Sequence, residues 1–289
     1  MSTTTAQASV DSASPTSPDA GRATSPGRRP RGPSQQRPRL RKSVLGSIPI
    51  VLFAVLWEFA PLLGSPTFQV FLPRFHVVVG AWWDLLVSGE LWSHFSASLA
   101  RSLVGFVIAA VLGIAFGLVI GWYRAAYEIL NPLLEIFRNT AALALLPVFV
   151  LLLGIGELSK VVIVIYAAFF PVLLNTAAGL KTVDPLLIRF GKTLGLSQAA
   201  LFRHIILPAA VPTIFTGIRI AGSAAILVLI AAEMVGAKSG LGFLITSSQN
   251  SFLIPQMYAG VLTIALLGLI VNSLLVGLES RFSRWRTDQ

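Results

Sequence analysis

The chain has no cysteine, only three histidines and very little charge: Asp, Glu, Lys and Arg together make up 12% of its 289 residues. The missing cysteines exclude disulfides, thiolate nucleophiles and Cys-based metal sites. His76, His94 and His204 are not paired at metal-ligand spacing, so no metal site is expected. A phosphate-cradling Gly-x-x-x-x-Gly-Lys-Ser/Thr loop does not occur. The spans hold neither a nucleophile–base pair nor paired aspartates, so the reading contains no catalytic residues. Charge is the most informative shortage. A soluble domain carries about 25% charged residues, and half of that cannot cover a water-soluble surface of this length.

What fills the chain instead is apolar sequence: 55% of residues, with a mean hydropathy of +0.78. A membrane-crossing helix needs about 20 such residues at about 1.5 Å rise each. Six stretches meet that need and predict an all-α, polytopic membrane protein: about Val44–Leu63, Leu99–Gly121, Thr140–Leu153 (extended backward through Pro132), Val161–Leu180, Pro212–Val235 and Met257–Leu278. The balance of 22 Lys and Arg against 12 Asp and Glu gives a net charge of +10. In this apolar context the excess points to anionic lipid and membrane orientation rather than to nucleic acid.

The chain divides into two parts. Residues 1–42 carry six prolines and eight Lys or Arg and read as a disordered basic tail, since they cannot bury enough apolar area to offset chain entropy. No signal peptide is read there, and Arg28-Arg29 is followed by Pro30 and Arg31 where a twin-arginine signal needs an apolar run. Residues 43–289 form the six-helix domain. With the N-terminus inside, 17 of the 22 basic residues fall on cytoplasmic segments, which predicts both termini in the cytoplasm. Gly105, Ala109, Gly113, Gly117 and Gly121 recur every four residues on one helix face, with Gly217, Ala221 and Ala225 repeating the pattern later. Such stripes let helix backbones approach closely in lipid. They read first as packing within one subunit, with a subunit interface or a moving seam as the alternative.

The inside loop at about 181–211 is too long for a minimal connection and keeps helical periodicity. Leu186, Leu187 and Phe190 make an apolar patch, Leu194 and Gly195 follow, Ser197 is a good N-cap, and Leu201, Phe202 and Ile205 resume the pattern. The expectation is a short helix, a glycine break and a second short helix at the membrane surface, with Pro208 and Pro212 marking the return into lipid. A half-exposed apolar helix of this kind suits docking of a soluble partner, or rests on lipid.

Gly195, Ile205, Leu207 and Pro208 stand in register with the cytoplasmic loop motif of permease subunits of ATP-binding-cassette importers: Glu-Ala-Ala, three residues, Gly, nine residues, Ile, one residue, Leu-Pro. Arg189, Phe190 and Gly191 stand where the family has Glu-Ala-Ala. Further stretches resemble the nitrate/taurine/aliphatic-sulfonate class of that family: Leu72-Pro73, Ser88–Trp92, Leu153–Lys160, Phe170-Pro171, Val183-Asp184-Pro185, Ala232–Gly236 and Ser239–Gly242. The resemblance covers about residues 70–250. It implies a type I importer permease fold, a second and often identical permease chain, two cytoplasmic ATPases holding the ATP and magnesium, and an extracytoplasmic solute-binding protein. This chain itself would bind no cofactor. The loop residues Asp184, Arg189, Phe190, Gly191, Leu194, Gly195, Ser197, Ile205, Leu207 and Pro208 would then couple ATPase closure to the helix bundle.

Charges within spans are costly and face protein or water. Arg219 and Glu233, with the polar pair Asn139 and Thr140, are therefore candidates for the translocation path, Arg219 attracting an anion and Glu233 forming an outer gate. The alternative for Glu58, Arg219 and Glu233 is internal pairing or snorkelling. The expected function is import of a small anionic solute such as an aliphatic sulfonate or a taurine-like compound. The alternatives are nitrate, an aromatic carboxylate or a vitamin precursor, or, in another class, a self-sufficient channel or gradient-driven carrier.

Overall fold

A computed structural model describes residues 39–282. The segment read as a tail lies outside the described residues up to position 38, and at Arg39, four residues before its expected end, the backbone is already helical. By internal contacts the chain divides after Pro49. The described part of the first unit is a helical stretch, 39–49; everything below concerns the second unit, from Ile50.

Twelve helices are described. They are α1 (Arg39–Phe59), α2 (Pro66–Phe71), α3 (Phe75–Val87), α4 (Glu90–Trp122), α5 (Arg124–Asn139), α6 (Leu146–Leu153), α7 (Glu157–Lys181), α8 (Pro185–Thr193), α9 (Gln198–Leu201), α10 (Leu207–Met234), α11 (Leu241–Asn250) and α12 (Ile254–Phe282). No strand occurs among the described residues. Five segments are long and apolar enough to cross a membrane: Pro66–Val87, Glu90–Trp122, Glu157–Lys181, Gln198–Met234 and Ile254–Arg281. Large apolar side chains stand exposed along them, Val111 at 62% and Leu227 at 72% among others, as lipid-facing surface requires.

Four expected spans therefore lie within continuous helices. The third does not run straight. Arg124–Asn139 and Ala142–Leu153 meet at an 85° bend, so the backward extension through Pro132 continues in a different direction. At the bend Asn139 Nδ2 donates to the Glu135 carbonyl at 2.8 Å and Thr140 Oγ1 to that of Ile136 at 3.0 Å. These bonds satisfy carbonyls left open at the end of α5. In the region of the first expected span, the described apolar helix is the shorter Val51–Leu63. Pro66–Val87 is not among the six expected stretches; Pro73 and Arg74 stand where α2 hands over to α3.

The core is a three-helix sandwich. α7 lies between α4 and α10, and each neighbour turns its small-residue stripe towards it. A Cβ at Gly113 would stand 2.8 Å from Val172 Cβ, and one at Gly117 would stand 2.6 Å from Thr176 Cβ. On the other side a Cβ at Gly217 would stand 2.6 Å from Asn175 Cβ and 2.9 Å from the Pro171 carbonyl. Both stripes thus serve packing within this chain. Ala109, Val164, Ala168, Val172, Ala221, Ala225 and Leu229 fill the space between the three axes. α12 closes the other flank against α3, α10 and α11, with Trp82 Nε1 donating to Thr263 Oγ1 at 3.1 Å.

Candidate functional site

α7 and α10 are joined at one end by the loop 182–206, flank a cavity midway, and enter a buried charge cluster at the other end. At the loop end, Asp184 caps α8, its Oδ1 accepting from Leu186 N at 2.8 Å, with Pro185 in the first turn. The far end closes with the two hydrogen bonds of a Schellman turn: Leu196 N to the Gly191 carbonyl at 3.2 Å and Gly195 N to the Lys192 carbonyl at 3.0 Å. The turn needs a left-handed residue, and Gly195 supplies it at φ +73°. Gly191 is buried; a Cβ there would lie 2.7 Å from both Ile205 Cδ1 and Leu201 Cδ1. The glycine thus lets α8 sit directly on the start of the returning helix, with Ile188 packed into the same core as Val183, Leu201 and Ile206. The opposite face of α8 is bare: Leu186 is 69% exposed, Phe190 62% and Leu194 63%, with Leu187 and Arg189 beside them.

Ser197 caps α9 as expected, its Oγ accepting from Ala200 N at 3.3 Å. The second short helix is not separate, however. α9 passes through one π turn, Phe202–Ile206, directly into α10. Pro208 has no N–H to give the preceding turn. The wider turn absorbs the extra residue, and the chain stays helical where the prolines suggested a break. Ile205, Leu207 and Pro208 are half-buried along this junction.

Midway, the bend between α5 and α6 opens a cavity of about 450 Å³ against α7 and α10. Phe137, Arg138, Thr140, Tyr166, Phe170 and Asn175 line it together with short aliphatic side chains. Tyr166 Oη donates to the Phe137 carbonyl at 2.9 Å, tying α7 to the bend. Asn175 Nδ2 donates to the Pro171 carbonyl at 2.8 Å. The Phe137 and Phe170 rings stack, and Tyr166 meets Phe170 edge-on.

At the far end Arg101 is almost fully buried and all five of its N–H groups are matched. Nε and Nη2 hold Glu157, the latter at 2.7 Å; Nη1 reaches Glu233 Oε1 at 2.7 Å and the Ser239 carbonyl at 2.8 Å; Nη2 also donates to Ser239 Oγ at 2.9 Å. Glu233 in turn accepts from Ser98 Oγ, 2.7 Å from Oε2, and from Gly242 N at 3.0 Å. Ser98 Oγ accepts from Leu241 N at 2.8 Å, and His94 Nδ1 from Gly240 N at 3.1 Å. A Cβ on Gly240, at φ +115°, would collide with the Glu233 carboxylate. Lys160, also buried, donates to the Gly156 carbonyl at 2.8 Å. The cluster ties α4, α7, α10 and the loop before α11 together.

Of the sequence-derived path candidates, Thr140 alone lines the cavity. Asn139 turns back on its own helix, Arg219 pairs with Glu279 at 3.1 Å, and Glu233 belongs to the charge cluster. Glu58 is bound by His76, Nδ1 to Oε1 at 2.7 Å. Internal pairing thus accounts for all three charges. Arg101 is not among the sequence-derived candidates. Its signal was its position four residues before Gly105, on the same face as the small-residue stripe, and hence turned towards α7.

The profile of a family described as binding-protein-dependent transport system inner membrane component matches residues 109–284. The taurine transport system permease protein TauC of Escherichia coli is 35% identical over 243 residues, covering 82% of this chain and 88% of that protein. The nitrate import permease protein NrtB of a Synechocystis species is 33% identical over 260 residues, covering 84% of this chain and 94% of that one. Among solved structures, a chain of the MetNI methionine transporter in an inward-facing conformation superposes with a TM-score of 0.54 at 17% identity, over 64% of this chain and 94% of that chain.

Proposed function

The chain belongs to the family of binding-protein-dependent transport system inner membrane components, the multi-pass permeases of ATP-binding-cassette importers, and we propose that it is the permease subunit of an ATP-driven importer for a small organic anion of the aliphatic-sulfonate or taurine type. The observation that carries this reading is the seating of α8. The helix is capped at both ends and anchored through Gly191 onto α9 and the π turn that lead into α10, yet it leaves Leu186, Phe190 and Leu194 exposed. An apolar knob with a fixed base suits a groove in a cytoplasmic ATPase.

In this reading two ATPase copies hold ATP and magnesium and a second copy of this chain completes the bundle. An extracytoplasmic binding protein delivers solute, and both termini lie in the cytoplasm. The tail 1–42 is then a basic cytoplasmic extension of the domain 43–289. Closure of the ATPases pushes α8. Because α8 rests on the π turn that leads into α10, and α10 packs along α7, the push is transmitted past the cavity to the charge cluster. A coupling of this kind needs an element with two arrangements that both ends bias, and in this reading the α7–α10 pair is that element. Thr140 and its neighbours in the cavity line the path.

Co-expression with a cytoplasmic ATPase of this importer class from the same organism tests the proposal. The two should co-purify, and reconstituted complex with its binding protein should take up solute only when ATP is hydrolysed. Gly195→Val should insert normally and lose most transport. Solute accumulation by the purified chain alone, without nucleotide, would refute the reading.

A further inference from the structure

The cavity at the α5–α6 bend has a lopsided chemistry. Among the described residues lining it, Arg138 is the one that carries a formal charge, and no carboxylate lines it. Arg138 is half-exposed. Its Nη2 donates to Glu135 Oε2 at 3.0 Å, an i,i+3 pair of two half-exposed side chains. Exposed pairs of this kind are weak, and a guanidinium has five N–H donors in a planar fork suited to an oxyanion. Asn175 uses one N–H on the Pro171 carbonyl and keeps a second donor. Against these polar groups stands an aromatic wall: Phe137 and Phe170 stacked at 6.3 Å between centroids, with Tyr166 edge-on at 5.2 Å.

We propose that this cavity is a solute subsite that selects a monovalent oxyanion bearing a short hydrocarbon part, with Arg138 reading the charge and Phe170 the hydrocarbon. The inference rests on the permease reading above and narrows its cargo from the aliphatic-sulfonate or taurine type to an alkyl oxyanion that carries no ammonium group. An inorganic oxyanion such as nitrate would meet Arg138 but cover none of the aromatic wall. A zwitterion would bring an ammonium group into a cavity with no carboxylate to receive it, and such a charge keeps its hydration cost unless paired. An alkyl oxyanion satisfies both halves. The cavity holds nothing that separates a sulfonate head from a carboxylate head, so both are expected to bind.

The test measures binding of radiolabelled butanesulfonate by scintillation proximity to the complex of this chain with its ATPase in nanodiscs, without binding protein. Unlabelled butanesulfonate and pentanoate should compete, and nitrate and taurine should compete at least tenfold less well. Arg138→Gln should weaken binding at least tenfold, with Arg138→Lys recovering part of it. Phe170→Ala should narrow the difference between butanesulfonate and nitrate. Glu135→Gln lies outside the cavity and frees the guanidinium, so it should tighten butanesulfonate binding about twofold or more; this arm decides the matter even where Arg138→Gln fails to assemble. Unchanged affinity in Glu135→Gln, wild-type binding by an assembled Arg138→Gln complex, or nitrate competing as well as butanesulfonate would each overturn the subsite. If the wild-type chain does not assemble with the ATPase, the permease reading falls and the subsite falls with it. If it assembles, hydrolyses ATP and still shows one of those three results, the subsite alone is lost.

Discussion

Arg101 and Glu233, 132 positions apart in the chain, meet at 2.7 Å with both side chains almost completely out of solvent. Neither could be kept there alone. Removing one partner of a buried pair typically costs about 3–5 kcal/mol, because the other charge is left without compensation. Arg101→Met should therefore lower the thermal stability of the detergent-solubilised protein sharply, and Glu233→Met should do likewise. The double variant should recover a large part of the loss, since neither member of the pair is left facing the gap of the other. Glu157 is 68% exposed, so Glu157→Gln should cost about 1 kcal/mol or less. Scanning fluorimetry on the four variants checks this. Additive losses in the double variant would show that the ion pair is not the organising contact.

Local rules made a good part of this molecule legible. The long apolar runs announced the helices, the four-residue recurrence of Gly105 through Gly121 announced a close helix packing without naming its partner, and Asp184, Gly195 and Ser197 cap and turn the loop as their residue types suggest. What stayed hidden depended on partners distant in sequence. Nothing in the run from Phe137 to Leu146 signals an 85° bend, because no proline or glycine stands at Thr140 or Ala141. The cavity exists only because of that bend, so Tyr166 and Asn175 could not be recognised as its lining. Pro208 misled in the opposite direction: a π turn kept the helix going through it. Internal pairing was an open reading for Arg219, Glu233 and Glu58, but their partners Glu279, Arg101 and His76 are named only by the fold.

The Schellman turn after α8 makes a prediction about residue type at Gly195. A left-handed conformation costs an ordinary L-residue about 1–2 kcal/mol, with asparagine the best tolerated substitute. A Cβ there meets nothing within 4 Å, so the penalty is conformational and not steric. Gly195→Asn should keep most ATP-dependent uptake in reconstituted vesicles, and Gly195→Val should lose most of it at equal membrane insertion. Equal uptake by the two variants would detach the turn from coupling.

Phe190 stands 62% exposed on α8 and makes no contact that the fold needs. If α8 docks into a partner, Phe190 is the aromatic anchor, and truncating such an anchor typically costs about 2 kcal/mol or more of binding. Phe190→Ala should therefore leave the melting temperature of the isolated chain within about a degree while weakening ATPase association on the order of 30-fold. Surface plasmon resonance with immobilised ATPase reads the affinity, and an unaltered dissociation constant would move the docking face elsewhere.

The stripe on α4 carries a steric prediction that separates packing from motion. A methyl group at Gly117 would stand 2.6 Å from Thr176 Cβ and 2.8 Å from the Leu173 carbonyl, and the carbonyl cannot rotate away. Gly117→Ala should force the two helices apart and destabilise the chain by about 1–3 kcal/mol, the usual cost of overpacking. Thr176→Gly removes the Cβ that the new methyl would meet, so the pair Gly117→Ala with Thr176→Gly should regain part of the loss, though not the share due to the Leu173 carbonyl. Thr176 Oγ1 donates to the Val172 carbonyl at 2.7 Å within its own helix, and losing that bond sets an upper limit on the rescue. If instead α4 slides along α7 during transport, the double variant should lose more uptake than its melting temperature accounts for. If the contact is purely structural, uptake follows stability in all three variants, and measuring both on the same preparations decides which.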